Sequence, residues 1–446
     1  MRHETEIVYK CTEEKSYLGG FVFSLLLVAT LISLLGTLMT DFALGQWVYK
    51  RTNSATAYGV IGFAALAPQL LFSPLIGTLL DRYARGTLML IGHAGAGMCT
   101  LMLVILYVND MLTFWSILFL VGISSFFNGL ISQSFMLLIP VIIRESQLIK
   151  YQGFIQGGMG LIELSVPALA AFLLVSLGLE GIFMADVVSF IAAIGLIMII
   201  VAKINQADGR LVQDVKNRKS ISSQLLFGFG YLKNHRHLLA LVVFMGGINF
   251  SVGIVHVLFT PLVLSFSTVV ELGTLLTVAG AGTLIGSTLL TFVVQVDNKR
   301  SFLCCGLFII ALLLISSTTV FVNPNYTLWL LMSIVLLLTL SFVMVGSVNQ
   351  VIWQTSVPTE FQGRVFSVQA LISQASLPLA FLVAGPLADY VFEPLLAENG
   401  LLSTSVGTLI GVGPGRGIVL LYGLCGLLII TSIGLFYRIT NSKTFR

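Results

Sequence analysis

The stretch Phe302-Leu-Cys-Cys-Gly-Leu-Phe-Ile-Ile-Ala-Leu-Leu-Leu-Ile-Ser-Ser-Thr-Thr-Val-Phe-Val322 runs for 21 residues without a charge. A helix rising about 1.5 Å per residue needs about 20 predominantly apolar residues to cross roughly 30 Å of hydrocarbon. A transmembrane β-strand would instead alternate apolar and polar residues over about 10 positions, and this run is solidly apolar. Its surroundings are of the same kind: 57% of the 446 residues are apolar and 9% charged, against roughly 25% charged in soluble proteins. A soluble globular chain is excluded, and so is disorder, whose signature is low hydrophobicity with dense charge. The spans are helices.

Working outward with the same length requirement gives apolar segments near 18–47, 55–80, 87–108, 113–143, 151–177 and 181–202, then near 237–266, 269–295, 302–322, 326–356, 364–392 and 415–437. The sequence therefore predicts an all-α polytopic membrane protein with twelve transmembrane helices in two pseudo-symmetric six-helix bundles, 18–202 and 237–437. A cytoplasmic N-terminal segment (1–17), a basic central loop (203–236) and a cytoplasmic tail (438–446) complete the expected organisation. The halves echo each other as a parallel repeat would. Asp81-Arg82-Tyr83-Ala84-Arg85 after the second helix is answered by Asp297-Asn298-Lys299-Arg300 after the eighth, and Asn128…Gln133 by Asn349…Gln354.

Placing the N-terminus inside puts 20 of the 23 Lys and Arg residues on the cytoplasmic face, leaving Lys50, Arg51 and Arg416 outside. Lys and Arg in short loops resist translocation, so both termini are expected in the cytoplasm and the protein in the cytoplasmic membrane. Glu4, Glu6, Glu13 and Glu14 precede an apolar stretch too long for a signal-peptide core, which is read as a retained first helix.

Catalytic and cofactor signatures are missing from the sequence. There is no Gly-Lys pair for a phosphate loop, no G-x-S-x-G and no H-E-x-x-H. The five cysteines include no C-x-x-C, so neither a disulfide framework nor a metal site is expected. His235 and His237 read as part of an interfacial basic cluster. Basic residues are scattered among short connections, which argues against a nucleic-acid partner. The expected partner at this point is the bilayer, with no cofactor and a monomeric chain.

Three sets of residues carry candidate chemistry. At the turn between the second and third helices, Gly77-x3-Asp81-Arg82-x2-Arg85 reads either as positive-inside decoration or as a charge latch. In the latch, Asp81 would accept from backbone N–H groups at a neighbouring helix start, and Arg82 and Arg85 would pair with carboxylates or lipid phosphates. Acids within spans form the second set, because burying charge in hydrocarbon is costly. Glu163 lies about 18 Å into the fifth helix, near the midplane, and Asp41 about 35 Å along the first, toward its outer end. Both are candidate proton-coupling residues, whereas Asp186 and Asp389 are expected at the outer boundary, with Arg416 as an available partner. Third, Phe127, Asn128, Gln156, Asn249, Phe250, His256, Asn349 and Gln350 would give a cavity apolar walls with a few orienting polar groups. The plainer reading is that the amides hold helices together and the aromatics fill space. Gly153/Gly157 and Gly282/Gly286 are read as close helix-packing sites.

Gly77 to Arg85 resembles the signature turn of the major facilitator superfamily, and the six-plus-six plan is similar to that superfamily over the whole chain. Thr40-Asp-Phe-Ala-Leu-Gly-Gln-Trp-Val-Tyr49, Gln362-Gly-Arg-Val-Phe366 and Gly385-Pro-Leu-Ala-Asp-Tyr-Val-Phe-Glu-Pro394 further resemble its macrolide-efflux and enterobactin-exporter branch. The Gly-rich antiporter run of the fifth helix is present in departed form, Gly157-Gly-Met-Gly160 through Val166-Pro167, and the Arg often found in the fourth helix of antiporters is absent. The resemblance implies that Asp81 caps the helix opening at Gln362-Gly363-Arg364, which adds Arg364 to the latch. It also implies a secondary transporter that exports a macrolide-like drug, a siderophore or a peptide-like metabolite by proton antiport with alternating access. Two alternatives remain open from the residues: a lipid or lysolipid flippase of the same fold, and a non-transporting membrane scaffold or receptor.

Overall fold

The computed structural model describes residues 2–143, 148–212, 221–292, 298–322 and 327–441, with side chains from residue 19 onward apart from some positions inside helices. Among the described residues there is no strand. With no water in hydrocarbon to pair with backbone groups, a spanning chain must satisfy them internally, and the helix does so within one segment.

In chain order the helices are α1 (Arg2–Thr52), α2 (Ala55–Leu71), α3 (Ser73–Arg82), α4 (Arg85–Val108), α5 (Phe114–Ile142), α6 (Leu148–Ser176) and α7 (Gly178–Val212). There follow α8 (Ile221–Asn234), α9 (Arg236–Leu264), α10 (Val269–Phe292), α11 (Lys299–Ser316), α12 (Thr327–Ser356) and α13 (Thr359–Pro386). Two short helices, α14 (Glu393–Leu395) and α15 (Gly407–Ile410), precede α16 (Arg416–Asn441). Among the described residues eleven helices are long and apolar enough to cross a membrane, and α2 with α3, bent by 44° at their junction, makes a twelfth when taken as one span. Pro74 stands in the first turn of α3. It has no N–H to donate and its ring crowds the carbonyl four residues back, which is why the apolar segment read as one helix over 55–80 breaks at Phe72.

Helix starts follow local chemistry. Thr113 and Ser116 form a capping box at α5, Asn298 accepts from the Ser301 N–H at 3.1 Å to cap α11, and Thr268 and Glu271 exchange reciprocal bonds at α10. The basic stretch 203–236 is not loop throughout, since α7 extends to Val212 and α8 occupies Ile221–Asn234. The deciding run Phe302–Val322 is helical, but its last six residues, Ser317–Val322, tighten into a 3₁₀ turn. Past α13 the chain continues as a π-helical segment, Leu387–Phe392.

Two compact units are present: Met1–Leu44 with Ala64–Arg218, and Gly45–Phe63 with Lys219–Arg446. The first has a core from α1, α4, α5 and α7, with Phe23, Leu26, Met89, Leu138 and Ile197 fully or almost fully buried. In the second, α10 lies against α12 so closely that a Cβ on Gly286 would stand 2.7 Å from the Leu340 carbonyl oxygen, and one on Gly282 would clash with Thr339. This is the packing expected of that glycine pair. Gly157 behaves differently, because a Cβ there meets open space; its neighbour Gly158 is the residue pressed against Leu31.

Candidate functional site

Thr37, Thr40 and Asp41 lie at i, i+3 and i+4 on α1 and therefore share a face. That face meets Thr100 of α4 and Asp186 of α7. Asp186 is 1% exposed, and its Oδ2 accepts from Thr40 Oγ1 at 3.0 Å and Thr100 Oγ1 at 2.8 Å. Ser189 Oγ donates to the Asp186 carbonyl oxygen at 2.7 Å and reaches Oδ1 at 3.5 Å. Gly36 is what lets α1 and α7 come this close, since a Cβ on it would stand 2.5 Å from Asp186 Oδ1 and clash with Ser189 Oγ. Beside the carboxylate is a cavity of about 20 Å³, lined among others by Thr37, Asp41, Ser124 and Asp186. That is room for about one water, and the lining supplies the polar partners a water requires. Asp41 interacts electrostatically with Asp186, so two acids of separate helices face one small polar space. Cys99 is the other titratable group on its wall.

Seven residues earlier on both α1 and α4, Ser33 Oγ lies 3.1 Å from Nδ1 of the wholly buried His93. Seven residues are about two helical turns. The α1–α4 seam thus carries two polar layers, Ser33 with His93 and then Thr40 with Thr100 and Asp186.

A second acidic constellation belongs to the other unit. Asp389, in the π-helical segment, accepts from Ser54 Oγ at 2.6 Å, the Ala55 N–H at 3.0 Å and the Thr56 N–H at 2.8 Å. Ser54 Oγ in turn accepts from the Ala57 N–H at 3.1 Å. These donors are the first N–H groups of α2, unsatisfied within the helix itself. The elbow before them turns at Asn53 with φ 48°, a left-handed conformation that Asn tolerates. One turn after Asp389, Glu393 accepts from the Gly415 and Ile418 N–H groups at the start of α16, at 3.2 and 3.3 Å. Gly385 lies so close to α2 that a Cβ would clash with the Thr56 Cα. Tyr49 fastens the elbow further by donating to the Pro261 carbonyl oxygen at 3.1 Å.

The structure supplies both of the expected boundary acids with partners. Asp186 is buried in a hydroxyl cage inside the first unit. Asp389 has the start of α2 as its partner rather than Arg416, which interacts instead with Glu393. Counting residues along an axis gives depth but not the face a side chain presents, and the face decides both cases.

The side chains of Glu163, Asp81, Arg364 and Gln156 lie outside the described residues. Of the latch residues that are described, Gly77 and Arg82 lie on α3, with Arg82 exposed, and Arg85 donates to the Leu137 carbonyl oxygen of α5 at 3.3 Å. Phe127 packs its ring on Gly95, and Asn128 reaches Ser124 Oγ at 3.5 Å. In the second unit Asn249 and Phe250 are half-buried, His256 and Gln350 are exposed, and Asn349 is buried with its Oδ1 unpartnered. The ring of His256 stands 5.9 Å from that of Phe381. No group of three or more His, Cys, Asp or Glu able to hold a metal occurs among the described residues.

The family model of the Major Facilitator Superfamily matches residues 26–381, most of the chain. The chain belongs to the Major Facilitator Superfamily. Among its relatives, macrolide efflux protein A of Streptococcus pyogenes is 22% identical over 377 residues, covering 81% of this chain and 87% of that protein. The protein of the same name from Enterococcus faecalis is 24% identical over 329 residues, covering 70% of this chain and 95% of its own. Among solved structures, the nucleoside transporter NupG superposes with a TM-score of 0.72 at 11% identity, covering 93% of this chain and all of that one, which speaks to the fold alone. As a major facilitator protein the chain is a multi-pass secondary transporter of small solutes and not an enzyme.

Proposed function

We propose that this major facilitator protein exports an amphipathic organic solute of macrolide-like size from the cytoplasm by alternating access, driven by inward proton flow. The observation that carries the reading is the pair Asp41 and Asp186 facing one polar cavity within the spans of the first unit. Two negative charges in a low-dielectric space repel, and a proton bound to either relieves the repulsion. The cage around Asp186 consists of Thr and Ser hydroxyls, which donate to a carboxylate and accept from a carboxylic acid equally well. The node thus tolerates both protonation states. The macrolide efflux relatives support the solute class.

Asp389 supports the gating half of the reading. By the Lys and Arg distribution both termini are cytoplasmic, the membrane is the cytoplasmic one, and the α1–α2 elbow faces outside with Asp389 and Glu393. The Asp389 clamp then closes the outer side, and its release opens it. The Asp81 latch with Gly77, Arg82, Arg85 and Arg364 is proposed for the cytoplasmic end. Glu163 remains a second proton site to test, and Phe127, Asn128, Gln156, Asn249, Phe250, His256, Asn349 and Gln350 are proposed to line the solute's path. The test is purified protein in proteoliposomes with a radiolabelled macrolide. Transport against the solute gradient should appear with an imposed pH gradient and vanish with a protonophore; accumulation indifferent to the pH gradient would overturn proton antiport.

A further inference from the structure

One buried titratable group of the first unit has no part in the Asp41 and Asp186 pair. His93 of α4 is wholly buried, its Nδ1 lies 3.1 Å from Ser33 Oγ of α1, and its enclosed Nε2 has no hydrogen-bond partner among the described residues. Native interiors rarely leave such a nitrogen unpaired. Thr37 Oγ1 is a second enclosed polar atom of the same seam without a partner. Ser33, Thr37 and Asp41 follow one another at i, i+4 and i+8, along one stripe of α1. Thr37 and Asp41 line the small cavity beside Asp186, and Ser33 meets His93. On α4 the residue between His93 and Thr100 on the shared face is the wholly buried Ala96, so that helix sets only a methyl group between its two polar layers.

The helices around His93 bring few charges near it. From α7 comes the Phe190 ring, 6.2 Å away between centroids, and the one acid of 181–202 is Asp186. There is no charged residue over 114–142 of α5, and only Asp41 over 19–48 of α1. The charges of α3, Asp81 and Arg82, stand in its last turn, next to Arg85 in sequence. On α4 itself, Arg85 and Cys99 are each about two turns from His93.

We infer that His93 is the inner station of the proton path, taking the proton that Asp41 and Asp186 admit and passing it to cytoplasmic water. The inference rests on proton antiport and on the orientation drawn from the Lys and Arg residues. In that orientation His93 lies about 12 Å along α4 from Arg85 and Thr100 about 22 Å, so the imidazole is on the cytoplasmic side of the acids. The neutral ring accepts from Ser33 on Nδ1 and carries its hydrogen on Nε2. A proton leaving the carboxylic acid passes Thr37 and one bridging water to Ser33 Oγ, which gives its own hydrogen to Nδ1 and keeps the incoming one. The imidazolium then releases the Nε2 proton to water. One proton leaves the acids, one reaches water, and the ring ends neutral. Enclosure of Nε2 keeps that proton from the cytoplasm until the carrier changes state.

The test uses proteoliposomes that enclose a pH-sensitive dye. Two rates are read: proton movement driven by a macrolide gradient, and exchange of labelled for unlabelled macrolide, which needs no net proton movement. His93→Gln keeps a polar side chain beside Ser33 but holds no extra proton. It should lower the ratio of the first rate to the second by about a hundredfold, the lower end of what a positioned proton-transfer group contributes. Thr37→Val, of similar volume, and Ser33→Ala should lower the same ratio. A His93 that only packs would lower both rates together and leave the ratio at the parent value. That result would overturn the relay and leave antiport standing, as would parent ratios in Thr37→Val and Ser33→Ala if His93→Gln fails to fold. A parent protein that exchanges macrolide but moves no protons would overturn antiport and the relay with it.

Discussion

Asp186 and Asp389 are both acids held by hydrogen bonds within the spans, but their donors differ in kind. Asp186 is enclosed by the hydroxyls of Thr40, Thr100 and Ser189, whereas Asp389 accepts from one hydroxyl and two backbone N–H groups at the start of α2. A hydroxyl rotates and can either donate or accept; a backbone N–H can only donate. Every side-chain donor around Asp186 can therefore also accept, while two of the three donors at Asp389 are N–H groups that only donate and have no other acceptor within the helix. The first arrangement suits a group whose charge changes during the transport cycle, and the second a fixed lock on the helix start.

The comparison can be broken most sharply by neutralising each acid. Asp186→Asn should abolish macrolide accumulation driven by a pH gradient while leaving downhill exchange, measured in the same proteoliposomes. If accumulation persists, Asp186 is a structural acid and the coupling site must be sought at Glu163. Asp389→Ala should leave the hydroxyl cage around Asp186 intact but release the elbow. A charge capping a helix start contributes up to about 2 kcal/mol, a shift of roughly thirtyfold in a two-state equilibrium. Spin labels at Arg51 and Tyr390, both exposed, should then report a second, longer distance; an unchanged distribution would remove the clamp from the gating account.

Smaller effects sharpen the geometry. Gly36→Ala places a methyl group against Ser189 and Asp186 and should cost about 1–3 kcal/mol by overpacking. Gly157→Ala, pointing into open space, should stay within about 0.5 kcal/mol. Thermal unfolding in detergent separates the two, and equal losses would deny that α1 and α7 meet at Gly36. Thr100→Val removes one donor to Asp186 at similar volume and should cost about 1 kcal/mol, with Thr100→Ser close to the parent by the same measurement.

Much of this architecture is legible in the sequence because the bilayer imposes one length on every span and one bias on the basic residues. The stretch Phe302–Val322 alone shows the length rule, although not that its end tightens at Ser317. The break at Phe72 has a visible cause in Pro74, but apolarity runs through it and hides it. The helix α8 lies in a stretch whose flanking charges read as loop. Asp41 is recognisable as a membrane acid from its position in α1. Asp186 is not recognisable as its companion, because the hydroxyls that enclose it come from residues 40, 100 and 189 and only folding assembles them. The one sequence trace of that assembly is the sevenfold spacing of Ser33 and Thr40 against His93 and Thr100, which is meaningful only once α1 and α4 are known to be neighbours.

The distinction between the two acids is tested most directly by infrared difference spectroscopy of the purified protein across a pH titration, reading the carbonyl band of protonated carboxylic acids. The account predicts a titrating band that disappears in Asp186→Asn and persists in Asp389→Asn. A band that survives in Asp186→Asn and is lost in Asp389→Asn would contradict it, making the clamp on α2 the proton carrier and the hydroxyl cage a fixed support.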